Sequence, residues 1–406
     1  MTWLDRLMPW RQKSANSYDI LRELLGRRTS HTGKVVSVNT AIQVATVFAC
    51  ARVIAEGIAQ VPLKLIQENA DASTRMPAKA HPLYDLLACK PNAWQTSFEY
   101  REMLAWHVVL CGNAYSYINR ARTGQILELI PFEPGKVTPR RDTAYKLTYE
   151  VLGIDGQLMT FQADQIWHVK GPSWNSWCGM EAVSLAREAI GLAMATEEQH
   201  ARMHKNGVKN SGVYSIEGTL KADQYEALQK WIDQQMAGLE NSGKAMILDR
   251  SATWLNTSMT GVDSQHLETR RFQIEEVCRF FRVMPIMVGY SDKAATYASA
   301  EQMFLAHVVH TLSPWYQRLE QSIDANLLSE KDRAAGYYAQ FVEEGLLRGD
   351  SKSTAEFLTK LTTNGIMTRN EARAKLDMNP LDGLDDPLTP VNMQIGTDPQ
   401  GESNAN

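Results

Sequence analysis

The stretch MEAVSLAREAIGLAMATEEQHARMHK, Met180–Lys205, begins apolar and ends polar. Val183, Leu185, Ala189, Ile190, Leu192, Ala193 and Met194 come first. Glu197, Glu198, Gln199, His200, Arg202, His204 and Lys205 follow. A second stretch, DSQHLETRRFQIEEVCRFF (Asp263–Phe281), reverses the order: Asp263, Gln265, Glu268, Arg270 and Arg271 precede Val277, Phe280 and Phe281. A helix whose polarity changes along its length is leaving a core for a wetter place. Folded antiparallel, the two helices meet at an apolar base and carry the insert between them outward. At 1.5 Å per residue the first reaches roughly 40 Å. The sequence therefore predicts a stalk with a head, the form of an assembly part.

Working outward, the chain divides into blocks. Residues 1–37 read as an arm with a short helix at Tyr18–Leu25. Residues 38–178 read as an α+β domain: helices at Ala41–Ala59, Pro82–Cys89 and Ser97–Cys111, then strands at Ala114–Arg120, Ile126–Pro131, Tyr145–Val151, Leu158–Phe161 and Ile166–Lys170. Thr123-Gly124 and Asp155-Gly156 stand where hairpin turns need positive φ. The insert reads as a strand (Gly212–Ile216), a helix (Ala222–Met236), a strand (Lys244–Leu248) and a short strand near Thr253–Ser258. A long helix opens at Ser299 with Gln302 in capping-box position, and Pro314 inside its apolar stripe should kink it. Two further helices meet at Asn364-Gly365, the second opening at Thr368 with Glu371 three residues on. From residue 377 onward Pro, Gly, Asp and Asn dominate, and the tail reads as disordered.

At 406 residues the chain is long enough for two or three cores. Lys plus Arg total 42 against 46 Asp plus Glu, a net charge of −4, with no basic excess of the kind that reads nucleic-acid sequence. The charge is uneven: residues 1–34 hold seven basic and three acidic side chains, and 377–406 hold six acidic and none basic. The five cysteines are scattered without a CxxC, which reads as reduced thiols in a reducing compartment. The most apolar helix candidate, Ala41–Val61, is interrupted by Arg52 and Glu56, so no segment is expected to enter a membrane.

Candidate chemistry is weak. Gly238 to Lys244 fits GxxxxGK, and Met246 to Asp249 imitates a magnesium-binding strand, but Ala245 stands where Ser or Thr must hold magnesium. The flanking order, helix before and strand after, is also the wrong way round. His200 and His204 have the spacing of a two-histidine metal face without a third ligand. His307 and His310 read as edge-of-core residues. Glu197-Glu198 and Glu275-Glu276 point about 100° apart on a helix and cannot act as a dyad. Trp174 and Trp177 read as loop anchors rather than a stacking platform. No catalytic, metal or cofactor residue is predicted, and the chain is expected not to be an enzyme.

The order of short motifs is itself informative. Val47-Phe48-Ala49-Cys50, Ile58-Ala59-Gln60-Val61-Pro62-Leu63, His81-Pro82-Leu83, Pro91-Asn92 and Gly112-Asn113-Ala114-Tyr115 come first. His168-Val169-Lys170-Gly171, the helix Ala186–Gly207, Ser211-Gly212-Val213, Phe272 and Glu275-Glu276 follow. Tyr297, Glu301-Gln302, Pro314-Trp315 and Thr368-Arg369-Asn370-Glu371-Ala372-Arg373 close the series. In this order, across roughly residues 35–385, the chain resembles the portal protein family of tailed double-stranded DNA phages, long-tailed type. It departs where the family usually has Gly and Pro after the second stalk helix, with Arg282 and Met284.

The resemblance implies a multi-domain α+β portal fold in a cyclic ring, commonly of twelve subunits, at one capsid vertex of the virion, made in the host bacterial cytoplasm. It implies an arm (1–37), a wing (38–178), a first stem helix (179–206), a clip (207–258), a second stem helix (259–289), a channel loop (290–298), a long kinked wing helix (299–329), crown helices (330–376) and an acidic tail (377–406). Implied partners are further copies of the chain, double-stranded DNA bound without sequence preference, the terminase large subunit, a head-completion or adaptor protein, and the major capsid protein. Ser291, Lys293 and Tyr297 are then the expected DNA-channel residues; Lys221, Glu226, Lys230 and Asp233 are the expected docking residues of the clip. Two alternatives compete: a packaging enzyme of P-loop or nuclease type, which needs a folded phosphate loop at Gly238–Lys244, and a monomeric scaffold or adaptor with a protruding head.

Overall fold

The first long helix shows how local sequence and packing agree. Ala45–Gln60 (α2) follows a single turn at Val38–Ala41 (α1), which is closed by a capping box between Ser37 and Thr40. Its inward stripe, Val47, Cys50, Ala51, Ile54, Ala55 and Ile58, recurs at helical spacing and is buried. Arg52 and Glu56, which interrupt the apolar run in the sequence, form an exposed i,i+4 pair at 2.7 Å. The sequence predicts one helix over Ala41–Ala59; the chain instead breaks between Ala41 and Ala45. The computed structural model describes residues 29–68, 75–153, 155–206, 212–215, 221–227, 230, 253–256, 262–290, 297–343, 351–376 and 378–388. It divides into two units, Met1–Phe341 and Val342–Asn406.

In the first unit, Leu63–Glu68 (β1) pairs antiparallel with Arg75–Pro77 (β2). Pro82–Ala88 (α3) starts at an N-cap His81, whose ring nitrogen accepts from Leu83 N. Ser97–Cys111 (α4) opens with a reciprocal capping box between Thr96 and Glu99 and closes on Gly112, whose φ of 72° is the left-handed cap that glycine adopts without strain. Asn113–Arg120 (β3), Ile126–Phe132 (β4), Val137–Arg141 (β5), Leu147–Leu152 (β6), Leu158–Gln162 (β7) and Ile166–Lys170 (β8) form two antiparallel sheets, β4-β3-β8 and β5-β6-β7. Tyr115 on β3, Val137 on β5, Tyr149 and Val151 on β6 and Ile166 on β8 fill one core cluster, with Tyr117, Phe132, Leu147 and Phe161 packed against it. The opposite face of β3 turns to α4, where Tyr100 Oη and Ser116 Oγ share a buried hydrogen bond of 2.6 Å.

The first stalk stretch is helical, in two pieces. Ala182–Leu185 (α5) and Arg187–Asn206 (α6) are separated by a turn at Ala186. Val262–Phe281 (α7) returns. The polarity gradients act as read: Val183, Ile190 and Ala193 are buried at the start of the first stretch, and Val277, Cys278 and Phe281 at the end of the second, while residues 201–202 and 268–272 are exposed. Gln273 Nε2 donates to Thr196 Oγ1 at 3.0 Å between the helices. Between them, the antiparallel pair Gly212–Ser215 (β9) and Thr253–Asn256 (β10) and a turn of helix at 222–227 are described. The expected strand Lys244–Leu248 and the arm helix Tyr18–Leu25 lie outside the described residues.

After α7, Arg282 takes φ 58° and Val283 N donates to Cys278 O at 2.9 Å, so the turn keeps the left-handed form despite lacking glycine. The long helix begins at Tyr297 rather than Ser299: Tyr297–His307 (α8), a π turn at Val308–Leu312, then Ser313–Asn326 (α9). The expected disruption at Pro314 takes the form of that π turn, which re-spaces the ladder just where proline offers no N–H. Tyr316 on α9 is fully buried and its hydroxyl donates to Gly57 O at 2.8 Å.

Two regions depart from the sequence reading. Residues 330–341, given there to crown helices, form a short helix Glu330–Ala334 (α10) and a strand Tyr337–Phe341 (β11) that pairs with β1, Leu63 facing Phe341. Asp324 and Glu320 on α9 accept from Ala339 N (2.8 Å) and Phe341 N (2.6 Å), satisfying donors along β11. In the second unit, Ser351–Thr363 (α11) and Arg369–Lys375 (α12) are joined through Gly365 at φ 68°, the expected hairpin. Residues 378–388, read as disordered tail, fold back on α12. The Asn370 side chain bonds Leu381 O, Leu381 N and Asp385 Oδ1, and Asn370 N donates to Leu384 O. A polar, Pro- and Gly-rich composition conceals this because hydrogen bonds to backbone hold the segment, not buried apolar area.

Candidate functional site

The base of the helix pair is built on one asparagine. Asn113, at the junction of α4 and β3, donates its amide to Cys111 O (3.1 Å) and Gly179 O (3.0 Å). Its Oδ1 receives Gly179 N (2.7 Å) and His168 Nε2 (2.9 Å). Since Oδ1 is an acceptor, His168 carries its proton on Nε2, and Nδ1 accepts from the Tyr149 hydroxyl at 3.1 Å. Burial, with Lys170 adding a smaller push, lowers the His168 pKa to about 3, so the ring is neutral.

Around this asparagine three glycines let backbone approach backbone. A Cβ at Gly112 would lie 2.0 Å from Met180 O, and one at Gly179 would lie 1.9 Å from Gly112 O. Gly171 N donates to Gly112 O at 2.8 Å. The segment that starts the first stalk helix is thus fixed to the sheet by buried hydrogen bonds, each worth about 1 kcal/mol net and more if one partner is left unpaired. The short motifs containing Gly112-Asn113 and His168 thus meet at Gly179, a contact between segments 66 residues apart that no local pattern signals.

A second fastening joins the end of the arm to α6. His31 N donates to Glu188 Oε2 (2.9 Å), Thr32 Oγ1 to Gly191 O (3.1 Å), and Lys34 pairs with Glu198. A Cβ at Gly191 would fall 2.4 Å from Ser30 Cβ. The available signal was a glycine inside a helical stretch, which costs about 1 kcal/mol against alanine and so marks a close approach.

Of the expected docking residues, Lys221, Glu226 and Lys230 are exposed, and Asp233 lies outside the described residues. Of the expected channel residues, Ser291 and Lys293 lie outside them too, while Tyr297 is the first residue of α8. The loop Gly238–Lys244 and the strand Met246–Asp249 also lie outside. His307 is buried and His310 exposed; burial lowers the His307 pKa, and neither of its ring nitrogens has a hydrogen-bond partner among the described residues. Among the described residues no group of three or more His, Cys, Asp or Glu is placed to hold a metal ion, and no helix is long and apolar enough to cross a membrane. Trp177 is buried, as expected of a loop anchor, whereas Trp174 is 83% exposed.

Apolar side chains remain in solvent on the flanks of the helix pair and the helix after it. Phe272 is 55% and Phe280 39% exposed on α7, and Leu192 on α6 and Phe304, Leu305 and Val309 beyond are comparably open. Such residues mark contact surfaces when they recur along one element.

The chain is similar to the portal protein of Enterobacteria phage HK97, 29% identical over 345 residues that span 85% of this chain and 81% of the relative. It is similar to the probable portal protein of Streptomyces phage phiC31, 27% identical over 387 residues, 91% and 82% of the two chains. Among solved structures it shares its fold with a chain from the neck of a native gene transfer agent particle computed with C12 symmetry. That match has TM-score 0.57 and 21% identity, over 84% of this chain and 92% of the other. The family model described as phage portal protein matches residues 45–377. With the helix pair, its fastened base and these matches together, the chain belongs to the phage portal protein family.

Proposed function

We propose that twelve copies of this chain close into a ring at one capsid vertex and form the conduit through which double-stranded DNA enters during packaging and leaves on ejection. The observation that carries this reading is the helix pair: buried at its base, polar at its far end, and flanked by Phe272, Phe280 and Leu192, which a lone protomer leaves wet. The twelvefold count draws on the C12 symmetry of a neck with the same fold. In this reading residues 38–178 are the wing that meets the major capsid protein. The helix pair is the stem, 207–258 the clip and 290–298 the channel loop.

Lys221, Glu226, Lys230 and Asp233 then belong to a surface that meets the terminase large subunit during packaging and a head-completion protein afterwards. Lys293, with Ser291 and Tyr297 beside it, offers one phosphate contact per subunit, touching backbone without reading bases. The chain does no hydrolysis and needs no cofactor; the motor is a separate protein. It is made in the host cytoplasm and ends in the virion. Native mass spectrometry at micromolar concentration and physiological salt, with negative-stain microscopy, tests the reading. Rings with a central hole are expected, and monomers alone would overturn it.

A further inference from the structure

Two cysteines far apart in the chain meet in the core where α7 ends. Cys50 stands in the middle of the buried stripe of α2 and Cys278 in the last turn of α7; both are wholly buried. Their sulfurs are 3.7 Å apart across a sequence separation of 228 residues, with Cys50 Sγ–H donating to Cys278 Sγ. The residues flanking them along the two helices, Val47, Ala51, Ile54 and Val277, are apolar and buried. Packing alone would be served as well by alanine or valine, but only two thiols can be joined.

We propose that Cys50 and Cys278 are a redox modification site that a peroxide oxidises to a disulfide, covalently tying the second stalk helix to α2. The step balances. Cys278, as thiolate, attacks one oxygen of hydrogen peroxide; the O–O bond breaks and hydroxide leaves, taking up a proton as water. The resulting sulfenic acid is attacked by Cys50 sulfur; the S–S bond forms, the S–O bond breaks, and a second water departs with the Cys50 proton. Two thiols and one peroxide give one disulfide and two waters. Cys278 is the nucleophile because the Cys50 S–H favours its thiolate, against burial and the nearby Glu275. Peroxide, close to water in size, reaches a buried pair where a bulky disulfide does not. The sulfurs must close from 3.7 Å to about 2.05 Å, a side-chain rotation with a small shift of the two helices.

The consequence is directional. In a reducing cytoplasm the pair stays open while chains assemble; in an oxidising medium after release it closes. A crosslink enclosing everything between α2 and the end of α7 removes freedom from the unfolded chain and suppresses opening at the base of the helix pair.

The purified full-length chain, fully reduced, is exposed to hydrogen peroxide, denatured in an alkylating agent and digested for mass spectrometry. The expected result is a joined peptide pair carrying Cys50 and Cys278, two hydrogens lighter than the sum, in most chains. The melting temperature should rise and fall back with reductant. Cys50→Ala should lose both responses and Cys89→Ala, at an exposed cysteine, neither. Recovery of Cys50 and Cys278 as alkylated thiols while Cys89 is oxidised, or as sulfinic acids without a crosslink, overturns the proposal. The wild-type peptide decides it even if a variant fails to fold. The result is independent of whether the chain forms a DNA channel.

Discussion

Arg282 holds a conformation that favours glycine. Its φ of 58° costs a side-chain-bearing residue about 1–2 kcal/mol, yet the turn is kept because its carbonyl accepts from Thr311 Oγ1 at 2.7 Å and Val283 N closes on Cys278 O. Arg282→Gly removes that strain and adds some freedom to the unfolded chain. The expected net gain is about 0.5–1 kcal/mol, read as a higher denaturant midpoint; a lower midpoint would mean that the arginine side chain does more than the turn. His168 makes stability depend on pH. The folded ring is neutral with its pKa lowered to about 3 by burial, while an unfolded histidine titrates near 6.5. Between those values the unfolded chain binds a proton that the fold refuses, so stability falls as pH falls, by about 1.4 kcal/mol per unit from this site. His107, lowered to about 4 by burial, acts in the same direction. Melting temperatures should drop steadily from pH 6.5 to pH 4, with a shallower slope in His168→Gln. Equal slopes in the two proteins would refute the assignment.

The elements most legible in the sequence were those whose pattern is local and long. The two opposed polarity gradients, and the capping box at Thr368-Glu371, needed no partner to be read. The strands β1 and β11 were missed because each is a short run whose strand form rests on pairing, β1 with β2 nearby and with β11 across most of the chain. The same limit hid the strap at residues 29–35, whose only trace was Gly191 within a helix. Gly191→Ala tests it. Helix propensity gains up to about 1 kcal/mol, but a Cβ 2.4 Å from Ser30 Cβ forces the strap away. Hydrogen exchange should accelerate at residues 30–36 while α6 keeps its protection. Unchanged exchange in the strap would show that the close approach is not needed to hold it.

At the scale of the whole molecule, the candidate site was the least legible feature, because in the proposed ring its surfaces would be completed by other chains. A single sequence encodes Lys221 and Lys230 as exposed lysines and Phe272 as an exposed phenylalanine; what they meet is outside it. A closed ring needs two different, complementary faces on every subunit, so an error on one face recurs at every interface. Phe272 and Phe280 lie two turns apart on α7, 55% and 39% exposed, Phe280 also resting edge-on against Phe281 at 5.4 Å. Burying a phenylalanine between subunits contributes about 1.5–3 kcal/mol per interface, and an aspartate there would instead lose its hydration. Phe272→Asp with Phe280→Asp should therefore leave the far-ultraviolet circular dichroism intact while shifting native mass spectra from rings to monomers. Rings of unchanged size and concentration dependence would place the subunit contact elsewhere, with Phe304, Leu305 and Val309 on the following helix as the next face to change.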